Sequence, residues 1–102
     1  MDKKAILEHA AVFFKRTYPG LTAEAIICFL VLIDLPRNPT VGDIARGVGM
    51  AEPTAYHHLS ELTVGVGAGL ITLENMGDGR NYVHLTDTGL EAKKQVQAAF
   101  GE

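Results

Sequence analysis

Tryptophan is absent from this chain, and cysteine occurs once, as Cys28. A lone thiol excludes an intrachain disulfide and suits a reducing compartment. There is no surplus of positive charge either: 9 lysines and arginines stand against 12 aspartates and glutamates, for a net charge of −3. That balance excludes a generic nucleic-acid coat, so any DNA contact must come from a local basic surface. Long apolar runs are missing too. The longest, Ala25 to Ile33, is far short of the ~20 residues that a membrane span needs. The N-terminal Met1-Asp2-Lys3-Lys4 leads into an amphipathic stretch, without the apolar segment and cleavage site of a secretory signal. The expected location is cytoplasmic, with no membrane partner.

Chemistry-bearing clusters are scarce as well. No set of nucleophile, base and orienting group is visible, so an enzyme is not expected. His57 and His58 are adjacent, which on a helix points them ~100° apart, whereas metal pairs prefer i, i+4 spacing. No metal or other cofactor is expected. Gly65-x-Gly67-x-Gly69 lacks the Gly-Lys-Ser/Thr end of a phosphate loop and reads as a flexible loop. Cys28 falls in the all-apolar stretch and reads as an inert core residue.

What is present is a compact pattern of helices and one hairpin. The 102 residues, 47% hydrophobic and 21% charged, suit one globular domain over 1–102. Ile6, Leu7, Ala10, Phe13 and Phe14 make one apolar face of a first helix, within 1–18, that ends at Tyr18-Pro19-Gly20. Thr22 caps a second helix, which is apolar on every side from Ile26 to Ile33. Such a helix must be covered all round, by the terminal helices or by a second chain. Thr40 opens a third helix, with Asp43 placed for a weak capping box and Val41, Ile44, Ala45 and Val48 as its buried stripe. Gly47-Val48-Gly49 supplies a tight turn, and a fourth helix runs from about Pro53 to Leu62. Ala55, Leu59 and Leu62 face inward on it, leaving Thr54, Tyr56, His57, Ser60 and Glu61 outward. From Leu70 the period becomes two, giving a hairpin to Leu85 with Gly77-Asp78-Gly79-Arg80 at its tip. Thr86 caps a last helix, within 87–102, where Ala92, Val96, Ala99 and Phe100 share a face. A helix-turn-helix followed by a charged hairpin, over 21–86, is a winged helix: mainly α, with a small antiparallel β-hairpin.

The order of elements and several spacings resemble the MarR family of bacterial and archaeal transcription factors. Leu21-Thr22, Val41 to Leu62, Leu70-Ile71 and Asp78-Gly79-Arg80 carry the resemblance, together with Val83-His84-Leu85-Thr86-Asp87-Thr88-Gly89. It spans roughly residues 21 to 96. It implies a homodimer whose fourth helix lies in a DNA major groove and whose wing arginine reaches the minor groove. The chain departs from the family at Ala51, where a polar cap is usual, and at His57, near which a cation is common. Its recognition helix begins with Glu52 and contains no Lys or Arg.

Thr54, Tyr56 and His57 are the expected base-contacting residues, since hydroxyls and imidazole can donate and accept. A protonated His57 would supply the missing cation. Thr40, Pro53 and Ser60 complete the helix-turn-helix surface, and Arg80 is the strongest single candidate, as a hairpin-tip guanidinium suited to a narrow minor groove. Asp78 is expected to orient it through a salt bridge. Arg46, Arg37, Lys93 and Lys94 are candidate phosphate contacts. Ile6, Ala10, Phe13, Phe14, Val96, Ala99 and Phe100, on the two terminal helices, are the expected dimer surface. The expected function is a sequence-specific double-stranded DNA-binding transcriptional regulator, a repressor acting as a homodimer on a pseudopalindromic site. Two other readings stay open: a winged helix used for protein–protein contact without DNA binding, and a plasmid- or replication-linked DNA-binding protein. No motif specifies a small-molecule effector.

Overall fold

A computed structural model describes residues 3–36, 39–65, 67–75 and 77–98, with side chains from residue 8 onward. The elements are α1 Lys3–Thr17, α2 Ala23–Asp34, α3 Val41–Val48 and α4 Glu52–Ser60, then β1 Ile71–Asn75, β2 Asn81–Leu85 and α5 Asp87–Ala98. One cluster of buried side chains draws members from every element.

The apolar face of α1 turns onto α2. Ala10 and Phe14, one helical turn apart, are buried, and the Phe14 ring meets Phe29 edge-on at 5.4 Å between centroids. Val96 of α5 is buried as well. Ala10, Phe14 and Val96, expected at a dimer surface, therefore belong to the core of the single chain. Phe13 is half-buried against Phe14 and Tyr18. The side chain of Ile6, and all of Ala99 and Phe100, lie outside the described residues.

The Thr22 side chain caps α2 by accepting from the Ala25 N–H at 3.2 Å. Ala25, Cys28, Phe29 and Leu32 are buried, while Ile26, Ile27, Leu30, Val31 and Ile33 are half-buried. The helix packs against α1, α3 and α4, so one chain covers much of it, and the five half-buried apolar side chains keep part of their surface open. The α3 contact is close: a Cβ on Gly47 would sit 2.7 Å from the Val31 side chain. Burial first, then the nearby Glu61 and Glu24 carboxylates, push the Cys28 thiol up to about 11. It stays protonated and behaves as a small apolar residue.

The capping box of α3 is complete, not weak. Thr40 Oγ1 accepts the Asp43 N–H at 3.1 Å, and Asp43 Oδ2 accepts the Thr40 N–H at 3.0 Å. Gly47 and Val48 finish the helix, and only Gly49 makes the turn, in the left-handed region at φ 86°. At α4, Ala51 occupies the cap position without a side-chain bond, and Pro53 falls in the first turn. The helix ends at Ser60, short of Leu62. Glu61 and Leu62 bond back three residues, to the carbonyls of His58 and Leu59, which tightens the chain out of α geometry. The glycine stretch that follows is cross-braced, not merely flexible. Gly67 and Gly69 donate to the Thr63 carbonyl, and Ala68 donates to the Glu61 carbonyl.

The hairpin pairs Ile71 with Leu85, Leu73 with Val83 and Glu74 with Tyr82. Ile71 and Val83 face the core. The wing is tied to the helix-turn-helix by a short third edge: Thr40 bridges Tyr82, and the Val83 N–H donates to the Pro39 carbonyl at 2.9 Å. Thr86 Oγ1 accepts the Gly89 N–H at 3.0 Å, capping α5, and donates to the Gly69 carbonyl at 2.7 Å. The architecture is a winged helix-turn-helix.

Candidate nucleic-acid interface

The outward face of α4 carries Pro53, Thr54, Tyr56 and His57, all exposed. This follows from Ala55 and Leu59, one turn apart, anchoring the opposite face in the core. Ser60 is less available than expected. It is half-buried, and its hydroxyl donates to the Tyr56 carbonyl at 2.9 Å, on its own helix. His58 leaves the outer face and places Nδ1 3.1 Å from Glu61 Oε2.

Glu61, expected outward, is a brace. Its two carboxylate oxygens accept from Thr22, one from the N–H at 3.1 Å and one from the hydroxyl at 2.9 Å. This locks the end of α4 to the start of α2. Burial would raise the pKa of Glu61, but hydrogen bonds from His58 and from both Thr22 donors outweigh it and hold the carboxyl below its usual range. Nothing in the local sequence signals the pair, because Thr22 and Glu61 are 39 residues apart.

The second part of the surface is the wing tip. Gly77 and Gly79 both have positive φ, which lets the chain reverse. Asp78 does not pair with the Arg80 guanidinium as expected. Its Oδ1 accepts the Arg80 backbone N–H at 3.0 Å and its Oδ2 accepts the Tyr82 hydroxyl at 2.9 Å. Those two bonds, the Arg80 N–H first, hold the Asp78 carboxyl below its usual range. Asp78 thus shapes the turn and leaves the guanidinium exposed. Among the described residues Arg80 enters no ion pair.

The third part is one side of α3, from its Thr40 cap to Arg46 in its last turn. Arg46 pairs with Asp43 but stays 75% exposed. The Thr40 backbone N–H is the main reason that Asp43 titrates below its usual value, with further help from the Thr40 side chain, Arg46 and Arg80. Thr40, Gly42, Asp43, Arg46, Glu52, Arg80 and Asn81 line one open concavity of about 240 Å³. The fold therefore brings together Thr40, Arg46 and Arg80 from the expected set. It adds Glu52 and Asn81, which the sequence reading did not select. Arg37 lies outside the described residues, and Lys93 and Lys94 stand on α5, away from this concavity's lining. Among the described residues no three His, Cys, Asp or Glu side chains are placed to hold a metal. No described helix is long and apolar enough to cross a membrane.

The structure is similar to several solved ones. MepR, a transcription regulator of the Staphylococcus aureus multidrug efflux pump MepA, matches 96% of this chain and 70% of its own, with a TM-score of 0.72 and 19% identity. A Mycobacterium tuberculosis protein matches 94% of this chain and 64% of its own, at 0.69 and 18%. The PcaV transcriptional regulator from Streptomyces coelicolor matches 96% of this chain and 71% of its own, at 0.63 and 16%. Identities this low speak to architecture alone, and the shared architecture is the winged helix. No family model and no curated protein sequence matches the chain.

Proposed function

We propose that this protein is a sequence-specific double-stranded DNA-binding transcriptional regulator, a cytoplasmic repressor that works as a homodimer on a pseudopalindromic site. The observation that carries the reading is the presence of three exposed elements on one winged-helix scaffold: the α4 face of Thr54, Tyr56 and His57, the wing-tip Arg80, unpaired among the described residues, and Arg46 on the last turn of α3. A recognition helix presents its first turns to base edges in the major groove. A hairpin-tip arginine suits the negative potential of an adjacent narrow minor groove. Repression would be steric, by occupation of a promoter. The fold neighbours include two transcription regulators, which supports the same reading.

The other reading, a protein-contact module, is favoured by one observation: α4 has no Lys or Arg, in a chain of net charge −3. A gel shift with DNA flanking the protein's own gene, at low and at moderate salt, separates the two. Retarded, sequence-competed complexes at moderate salt are expected. No complex even at low salt would overturn the regulator reading in favour of the contact module.

A further inference from the structure

The concavity at the reading surface holds an electrostatic anomaly. It is lined by two arginines, Arg46 and Arg80, and by two carboxylates, Asp43 and Glu52. Asp43 is committed: it caps α3 and pairs with Arg46. Glu52 is not. It is exposed, and among the described residues it takes no hydrogen bond and no ion pair, although it opens α4. Gly42 lies beside it at ordinary contact distance. A Cβ built there would lie 3.5 Å from Glu52 Oε2 and 3.5 Å from Arg46 Nη1. The unpaired carboxylate thus stands among the groups that would meet DNA.

An anion there repels every phosphate, so it lowers affinity for all DNA alike unless a base edge offers it a donor. Two major-groove donors exist, the N4 amino group of cytosine and the N6 amino group of adenine. Adenine sets its N7 acceptor beside N6, and that acceptor repels a carboxylate. Guanine and thymine offer acceptors in place of a donor. Cytosine N4 has an acceptor on one side only, the O6 of its paired guanine, whereas adenine N6 lies between its own N7 and the thymine O4. We propose that Glu52 is a specificity-determining residue that reads a cytosine N4 amino group through its carboxylate at the entry of α4 into the major groove. It rests on the DNA-binding reading above. The same carboxylate disfavours non-specific complexes, in which no amino group offsets its repulsion, and this suits a chain with little bulk positive charge.

The test is in-vitro selection from random duplexes with the wild-type protein, Glu52→Gln and Glu52→Ala. Glutamine keeps the length, loses the charge, and can pair bidentately with adenine N6 and N7. The wild type is expected to enrich cytosine at one position of each half-site. Glu52→Gln should move that position to adenine and Glu52→Ala should lose the preference, with every other position unchanged. Titrations of matched duplexes should show roughly tenfold discrimination, inverted in Glu52→Gln. An identical base preference in all three proteins would overturn the proposal while leaving DNA binding intact. Failure of the wild type to enrich any sequence would instead overturn the DNA-binding reading on which the proposal stands.

Discussion

Arg80 and Arg46 have the same side chain and different surroundings. The Arg46 guanidinium is already engaged by Asp43, so DNA must compete with that pair for its charge. Among the described residues Arg80 enters no such pair, because the Asp78 oxygens are taken by the turn backbone and by Tyr82. Arg80→Ala should therefore weaken binding to a selected duplex by about tenfold or more, roughly 1.4 kcal/mol. Arg46→Ala should cost less than about threefold and mainly reduce the salt dependence. Fluorescence anisotropy at two salt concentrations checks this, and equal small losses would mean that the wing stays clear of DNA. At this scale the sequence was readable in part. The exposure of Thr54, Tyr56, His57 and Arg80 follows from helical period and turn chemistry. The partners of Asp78 and Glu61 did not follow, since hydrogen-bond choice depends on which donors the folded chain delivers.

Among the elements, α3 is the best specified locally, with reciprocal caps between Thr40 and Asp43. Thr40→Ala should cost about 1 kcal/mol of unfolding free energy, the usual value of a cap. The carboxyl of Asp43 is held below its ordinary value by the Thr40 backbone N–H foremost. A depressed folded-state pKa means that the contribution is fully present above the unfolded value of about 3.9, and is lost as pH falls through the lower folded value. Asp43→Asn keeps the shape and an acceptor but cannot titrate. Urea midpoints measured from pH 7 to pH 2.5 should fall less steeply on the acid side for Asp43→Asn than for the wild type. Parallel curves would show that the Asp43 charge does not support the cap. Element types were legible from period, and boundaries less so. The α4 terminus and the Gly67 turn depend on backbone bonds among residues 58–69, where no side-chain pattern signals the change from α to tighter bonding.

For the molecule as a whole, the single chain already buries part of the expected dimer surface. Phe14 and Val96 are spent on the chain's own core. Among the described residues, the exposed large apolar side chains of the terminal helices are Val12, 55% exposed on α1, and Leu90, 46% exposed on α5, and these two helices touch each other. A dimer built through the terminal helices should therefore use Val12 and Leu90. Light scattering at micromolar concentration should give twice the 11.0 kDa chain mass. Val12→Glu combined with Leu90→Glu should halve it without loss of helical circular dichroism. Phe14→Ala should instead lower stability by about 3–5 kcal/mol, as a core cavity does. A monomer mass for the wild type, unchanged by concentration, would exclude the homodimer.

Local periodicity and capping chemistry already specify, within the sequence, the five helices, the hairpin and the polar outer face of α4. These depend on residues a turn or a strand apart, and their patterns survive without knowledge of the rest of the chain. Tertiary structure alone decided which apolar faces meet, and it placed Ala10, Phe14 and Val96 of the expected dimer surface in the core. It also tied Thr22 to Glu61 across 39 residues, and set Glu52 beside Arg46 and Arg80 in one concavity. The reason is physical. Burial and charge pairing depend on distances in space, which a short window of sequence does not contain.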